Sequence, residues 1–221
     1  MRRRLAAIAV AHALLFSAAG LQAQTAQTLE DWTDTASAQL RLPAGWRFYG
    51  KEAAGRRMPG IVIDEGRHAL RLKTEHYSVR IAREVHADTR ALPTLTWEWK
   101  ALTLPRHGDV RGEVNDQVAR MVLIFAPRYR PRMIAYVWDT RAPVGTEVHH
   151  RQLMVDRWLV VVRSGAAGLG TWVRETRNLE RDHARLFGTA ASSLLAIGVE
   201  SHSEDADHAS EVLIGPITLA K

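Results

Sequence analysis

The feature that most constrains this chain is a repeated alternation of apolar and polar residues with a period of two. In Thr94–Lys100, Leu95, Trp97 and Trp99 fall on one side and Thr96, Glu98 and Lys100 on the other, the pattern of a half-buried strand. Similar runs occur at Gly45–Tyr49, Ile61–Ile63, His68–Lys73, Tyr77–Ile81, Met133–Trp138, Trp158–Arg163, Trp172–Leu179, Leu194–Val199 and Glu211–Leu219. Val118–Phe125 is almost continuously apolar, which predicts a central strand covered on both faces. Roughly eleven strands at this spacing predict an all-β domain, a jelly-roll-like sandwich of two antiparallel sheets. Only Glu180–Phe187, followed by Gly188, reads as a helix, with glycine suited to the left-handed C-cap.

The N-terminus carries a second pattern. Arg2, Arg3 and Arg4 precede an apolar run from Leu5 to Phe16, then small residues and Leu21-Gln22-Ala23. This is the layout of a cleavable secretory signal over residues 1–23, too short to span a bilayer as a helix. No later stretch is apolar for long enough to cross a membrane. The expected organisation is a signal peptide (1–23), a polar lead-in (24–44) and one sandwich domain (45–221). The chain has a net charge of +6, and losing the three signal arginines leaves +3, too little to imply a nucleic-acid partner. Cysteine is absent, which removes disulfides, zinc–thiolate sites and thiol catalysis together. Export without cysteine fits a bacterial periplasm better than a eukaryotic secretory route.

Chemistry-bearing motifs are sparse. No serine sits in a G-x-S-x-G elbow, and no helix follows Gly165, Gly168 and Gly170 to make a phosphate loop. The run His202-Ser203-Glu204-Asp205-Ala206-Asp207-His208 could offer calcium the carboxylates of Asp205 and Asp207, though a solvated loop is its simpler reading. His149 and His150 are adjacent, so in a strand they face opposite ways. Among the aromatics, Trp97, Trp99, Tyr136, Trp138 and Trp172 could stack on sugar rings or fill the core. Glu98, Arg120 and Arg163 interrupt apolar or alternating runs, and a buried Arg120 would need an acidic partner, for which Asp116 is close in sequence. The candidate ligand-binding set is Glu98, Trp99, Asp116, Arg120, Trp138 and Arg177.

Several segments together resemble the bacterial domain-of-unknown-function family 3047. They are Leu95-Thr96-Trp97-Glu98-Trp99, Asn115-Asp116-Gln117-Val118-Ala119-Arg120, Ile134-Ala135-Tyr136-Val137-Trp138, Gly170-Thr171-Trp172 with Arg177 to Gly188, and Ile197-Gly198-Val199. The resemblance runs over residues 45 to 219 or so. It implies an exported β-sandwich similar in outline to carbohydrate-binding and galactose-binding-like domains, with no assigned activity. Three functions are open: a non-catalytic module binding a glycan or other polar small ligand, a structural or partner-binding envelope protein, and a hydrolase of an envelope polymer using carboxylates such as Glu98 and Asp116.

Overall fold

The computed structural model describes residues 25–33, 42–49, 58–127, 129–151, 153–191, 193–205 and 208–221; the segment 1–23, expected to be a signal peptide, lies outside them. In chain order the strands are β1 (Ala26–Glu30), β2 (Trp46–Phe48), β3 (Gly60–Asp64), β4 (Arg67–Glu75), β5 (Ser78–Ala87), β6 (Thr94–Thr103) and β7 (Ala119–Phe125). They continue as β8 (Arg132–Asp139), β9 (Glu147–Arg151), β10 (Asp156–Ser164), β11 (Val173–Asn178), β12 (Leu194–His202) and β13 (Ala209–Ala220), with the helix α1 (Leu179–Phe187) between β11 and β12. All eleven expected strands form. Gly188 ends α1 in the left-handed conformation, as the sequence predicts, and Asn178 caps its start by accepting the Arg181 N–H.

The strands make two sheets. One runs β11-β6-β13-β4-β3, with β1 beside the far end of β13; the other runs β2-β5-β12-β7-β8-β10-β9. Alternation decides what lies between them. From the six-stranded sheet come Leu70, Leu72, Leu95, Trp97, Trp99, Val212 and Ile214; from the seven-stranded sheet Ile81, Met121, Leu123, Phe125, Tyr136, Trp138, Ile197 and Val199. Trp97 stacks on Tyr136 with ring centroids 5.4 Å apart, and Trp99 meets Trp138 at 5.8 Å. Burying rings of this size is the largest apolar contribution available to such a core.

The structure departs from expectation in three places. The start of the lead-in is part of the fold: β1 pairs with β13, and Trp32 is buried, stacked on Trp46 at 5.1 Å. Its Nε1–H donates to Gly215 O at 2.8 Å, where a register shift around Gly215 and Pro216 lets proline sit inside a strand. The strand β9, Glu-Val-His-His-Arg, has a single apolar residue, is absent from the predicted set and forms as an edge. Finally, β8 and β10 pair parallel, so the sandwich is antiparallel except for this pair.

A second, smaller core lies on the outer face of the seven-stranded sheet. Val122, Ala135, Val137, Leu159 and Val161 point away from the sandwich and pack under Val110 and Ala142. Buried Asp139 ties the covering segments down, accepting N–H bonds from Val110 at 3.0 Å, Arg141 at 2.8 Å and Ala142 at 2.7 Å. This second cover explains why β7 is apolar on both faces.

Candidate functional site

The residues singled out in the sequence are not brought together. Trp99 and Trp138 are wholly buried between the sheets, so neither can offer a ring face to a ligand; their β-strand phase points them inward. Glu98 lies on the outer face of the six-stranded sheet, paired with Arg174 at 3.1 Å and Arg67 at 3.6 Å. Arg177 grips Asp182 of α1 with two bonds of 2.8 Å, and Asp182 also accepts the Tyr136 hydroxyl at 2.7 Å. That cluster fastens the helix to the sandwich.

Asp116 is buried, but it is not the partner of Arg120. It accepts the backbone N–H groups of Glu204 and Asp205, the latter at 3.0 Å, and so holds the β12–β13 loop. Asp205 in turn accepts the Asn115 N–H at 3.2 Å, while Asp207 falls outside the described residues. Among the described residues no group of three His, Asp or Glu side chains is placed to hold a metal ion. Glu98 lies on β6 and is taken up by arginines, whereas Asp116 lies in the loop before β7 of the other sheet and its carboxylate is taken up by loop N–H groups, which does not favour a glycosidase carboxylate pair.

What the structure does assemble is a polar cluster on the outer face of the seven-stranded sheet. In β12, Ile197 and Val199 point into the core, leaving Gly198, Glu200 and His202 on the opposite face. Strand register sets Arg80, Glu200 and Arg120 in one row across β5, β12 and β7. Arg120 and Glu200 are each 2 % exposed, and Arg120 Nη1 lies 3.3 Å from Glu200 Oε2. Arg120 also donates through Nε to Gln117 Oε1 at 2.9 Å and through Nη2 to Asn115 O at 3.0 Å.

His202 is fixed from both ring nitrogens. Nδ1 faces two donors, Ser78 Oγ at 3.0 Å and Arg80 Nη2 at 3.4 Å. It is therefore the lone-pair nitrogen, and Nε2–H donates to Glu200 Oε2 at 2.8 Å. Burial, reinforced by the charge of Arg120, pushes the imidazole down to about 3, so it is neutral at pH 7. Burial alone would raise the Glu200 carboxyl. The His202 bond, the Arg120 charge and a hydrogen bond from Tyr49 overrule it and hold the group well below the usual carboxylate range.

Tyr49, just past β2, donates its hydroxyl to Glu200 Oε1. Burial first, then the Glu200 charge, raises its pKa well above the ordinary value. The phenol reaches Glu200 by crossing Gly198: a Cβ there would lie 3.3 Å from the Tyr49 hydroxyl and 3.2 Å from Ile81 O. Beside this crossing opens a cleft of about 430 Å³, lined by Ala82, Ala196, Arg47, Tyr49 and Glu84 among others. Ala82 and Ala196 lie on adjacent strands and their short side chains leave the space open. Arg47 and Glu84 are exposed beside it. The cleft therefore offers an aromatic ring, a cation and an anion around an apolar floor. Of the sequence candidates only Arg120 belongs to this site. The signal for the rest was faint: Glu200 interrupts the apolar Ile197-Gly198-Val199 run, as Arg120 interrupts β7.

Comparison with solved structures finds likenesses at low identity. The family 11 carbohydrate-binding module of the cellulosomal cellulase Lic26A-Cel5E of Clostridium thermocellum is similar with a TM-score of 0.45 and 8% identity, over 83% of this chain and 91% of that one. The xyloglucanase domain of NopAA, a type three effector from Sinorhizobium fredii, gives 0.42 and 9% over 80% and 94%. Endoglucanase 3 of Trichoderma harzianum, from family GH12, gives 0.42 and 7% over 89% and 90%. Comparison with curated proteins finds no match. The family model described as protein of unknown function (DUF3047) matches residues 60–218, from β3 to the end of β13 but for its last two residues, and the chain belongs to that family.

Proposed function

We propose that this protein is an exported, non-catalytic module that binds a saccharide or other polar small ligand in the cleft beside Tyr49. The observation that carries the reading is the composition of that cleft. The Tyr49 ring, the Arg47 guanidinium and the Glu84 carboxylate surround a floor of Ala82 and Ala196. An aromatic surface suits the C–H face of a sugar ring, and the two charged groups suit its hydroxyls. The state of Glu200 supports binding over acid catalysis at this site. Its carboxylate is buried, engaged by three donors and held ionised, so at neutral pH it has no proton to give as a general acid. Export rests on residues 1–23 acting as a cleaved signal, and the mass of the protein recovered from a bacterial periplasmic fraction tests it: a species retaining residue 1 contradicts cleavage.

Binding is tested on the chain from Gln24 onward, which carries every strand and the helix. It is screened by thermal shift against neutral, acidic and amino sugars and their oligomers at millimolar concentration. The expected result is a rise in Tm with at least one saccharide that Arg47→Ala weakens and Ala196→Leu, which fills the cleft floor, abolishes. No shift with any saccharide, or a shift indifferent to both variants, contradicts the reading.

A further inference from the structure

A second cleft of about 430 Å³ lies at another end of the seven-stranded sheet, between the β7–β8 and β9–β10 turns, and Tyr129, Arg130, Arg132, Arg151 and Asp156 line it. The two turns are joined where Asp156 N–H donates to Pro131 O at 3.3 Å. The charges do not balance. Asp156, the one carboxylate lining the cleft among the described residues, is held by His149 at 2.6 Å. Arg132 donates to Thr189 at 2.6 Å. Arg130 and Arg151 are exposed, and among the described residues no carboxylate pairs with either.

The same two turns carry unusual apolar exposure. Tyr129 is 77%, Leu153 88% and Met154 62% exposed. Of the seven large hydrophobic side chains exposed among the described residues, these three gather here, so the exposure is concentrated rather than scattered. Exposed arginines beside exposed apolar side chains match the chemistry of a lipid interface, in which apolar tips enter the acyl chains and guanidinium groups meet the phosphates. A free oxyanion or a polyanionic glycan would use the arginines and gain nothing from Leu153 and Met154.

The geometry points to the surface formed by Tyr129, Arg130, Arg151, Leu153 and Met154 as a docking site for an anionic phospholipid bilayer, with lipid phosphate seated among Arg130, Arg132 and Arg151. This surface does not depend on the saccharide reading, since the Tyr49 cleft is lined by other strands.

The test is co-sedimentation of the chain from Gln24 onward with vesicles of phosphatidylcholine alone or with about one third phosphatidylglycerol, at low and high salt. Binding is expected to the anionic vesicles only, and to weaken with salt. Arg130→Gln with Arg151→Gln is expected to weaken it roughly tenfold or more, and Leu153→Ser with Met154→Ser by about tenfold. Both pairs alter exposed turn residues, and an unchanged Tm verifies that they fold. No binding to anionic vesicles overturns the proposal. So does binding that the Leu153/Met154 pair leaves intact while inorganic phosphate or a sulfated glycan competes it away, because the surface is then an oxyanion site alone.

Discussion

Acidification from pH 7 to pH 5 should destabilise this protein through His202. The groups facing its ring are Glu200 on its own strand, Arg80 and Ser78 from β5 and Arg120 from β7. Burial and the two arginines hold the folded pKa near 3, against 6.5 for a free histidine. A depressed folded value means that the unfolded chain takes up the proton first. The stability is whole above about pH 6.5 and is lost progressively as the pH falls toward 3. At pH 5 the unfolded state gains about 2 kcal/mol from this one protonation, which lowers Tm by about 4–8 °C for a domain of this size. Glu200 does not contribute in this window. Its depressed pKa makes its stabilisation fade only below its ordinary value of 4.5. His150 and His183 are also depressed and Asp139 is raised, each by burial first, so the comparison must cancel them. His202→Gln does so, keeping an N–H toward Glu200 but no titrating ring. Thermal unfolding of both proteins at pH 7 and pH 5 should show a drop in the parent about 4–8 °C larger than in the variant. Equal drops refute the assignment of His202 as a buried neutral donor.

Three further experiments test the packing. Arg120→Met leaves Glu200 without its cation and should cost about 3–5 kcal/mol by urea unfolding, while Arg120→Met combined with Glu200→Gln should cost less than the two singles added; strict additivity contradicts a direct pair. Gly198→Ala forces the Tyr49 phenol or the Ile81 carbonyl to move and should cost about 1–3 kcal/mol, read as a fall in Tm together with a weakened saccharide shift. Asp182→Ala strands the Tyr136 hydroxyl and Arg177 beneath α1 and should cost about 2–3 kcal/mol, with unfolding still a single transition; an unchanged midpoint contradicts the anchoring role of this carboxylate.

The sandwich was legible because period two fixes both the strand and its buried face: every run that alternated became a strand, and Leu95, Trp97 and Trp99 point together. What composition hides is a strand held only by a neighbour. Ala26–Glu30 and Glu147–Arg151 are polar, and each exists because β13 or β10 supplies its hydrogen bonds. The parallel β8–β10 pair was equally invisible, since a local pattern carries no information about direction. The candidate site failed for a related reason. Aromatic count cannot tell a binding platform from a core, and here the face of the strand put Trp99 and Trp138 inside. Arg120 was found because an ion interrupting an apolar strand needs a partner. Its partner is Glu200, on the adjacent strand β12 and 80 residues away, rather than the neighbour in sequence.

The buried cluster also bears on how the Tyr49 cleft keeps its shape. Strand β2 has only three residues and, among the described residues, one strand neighbour, β5, extended by the Tyr49 N–H bond to Arg80 O at 3.0 Å, so backbone bonding alone holds this edge weakly. Two side chains tie it down. Trp46 runs inward, stacks on Trp32 and donates through Nε1 to Glu30 at 2.7 Å. Tyr49 runs outward over β5 to reach Glu200 on β12, passing where Gly198 has no side chain. An apolar row in place of Arg80, Glu200 and Arg120 could be as stable, yet it would give Tyr49 no acceptor. The charge cluster therefore acts on the cleft through one hydrogen bond, making the ring a fixed wall rather than a mobile one, and a fixed wall loses less conformational freedom on binding. On this account Tyr49→Phe, which keeps the ring and removes only the hydroxyl, should weaken a saccharide shift without altering the groups that line the cleft. Equal shifts in the parent and Tyr49→Phe would show that the wall holds its place without Glu200.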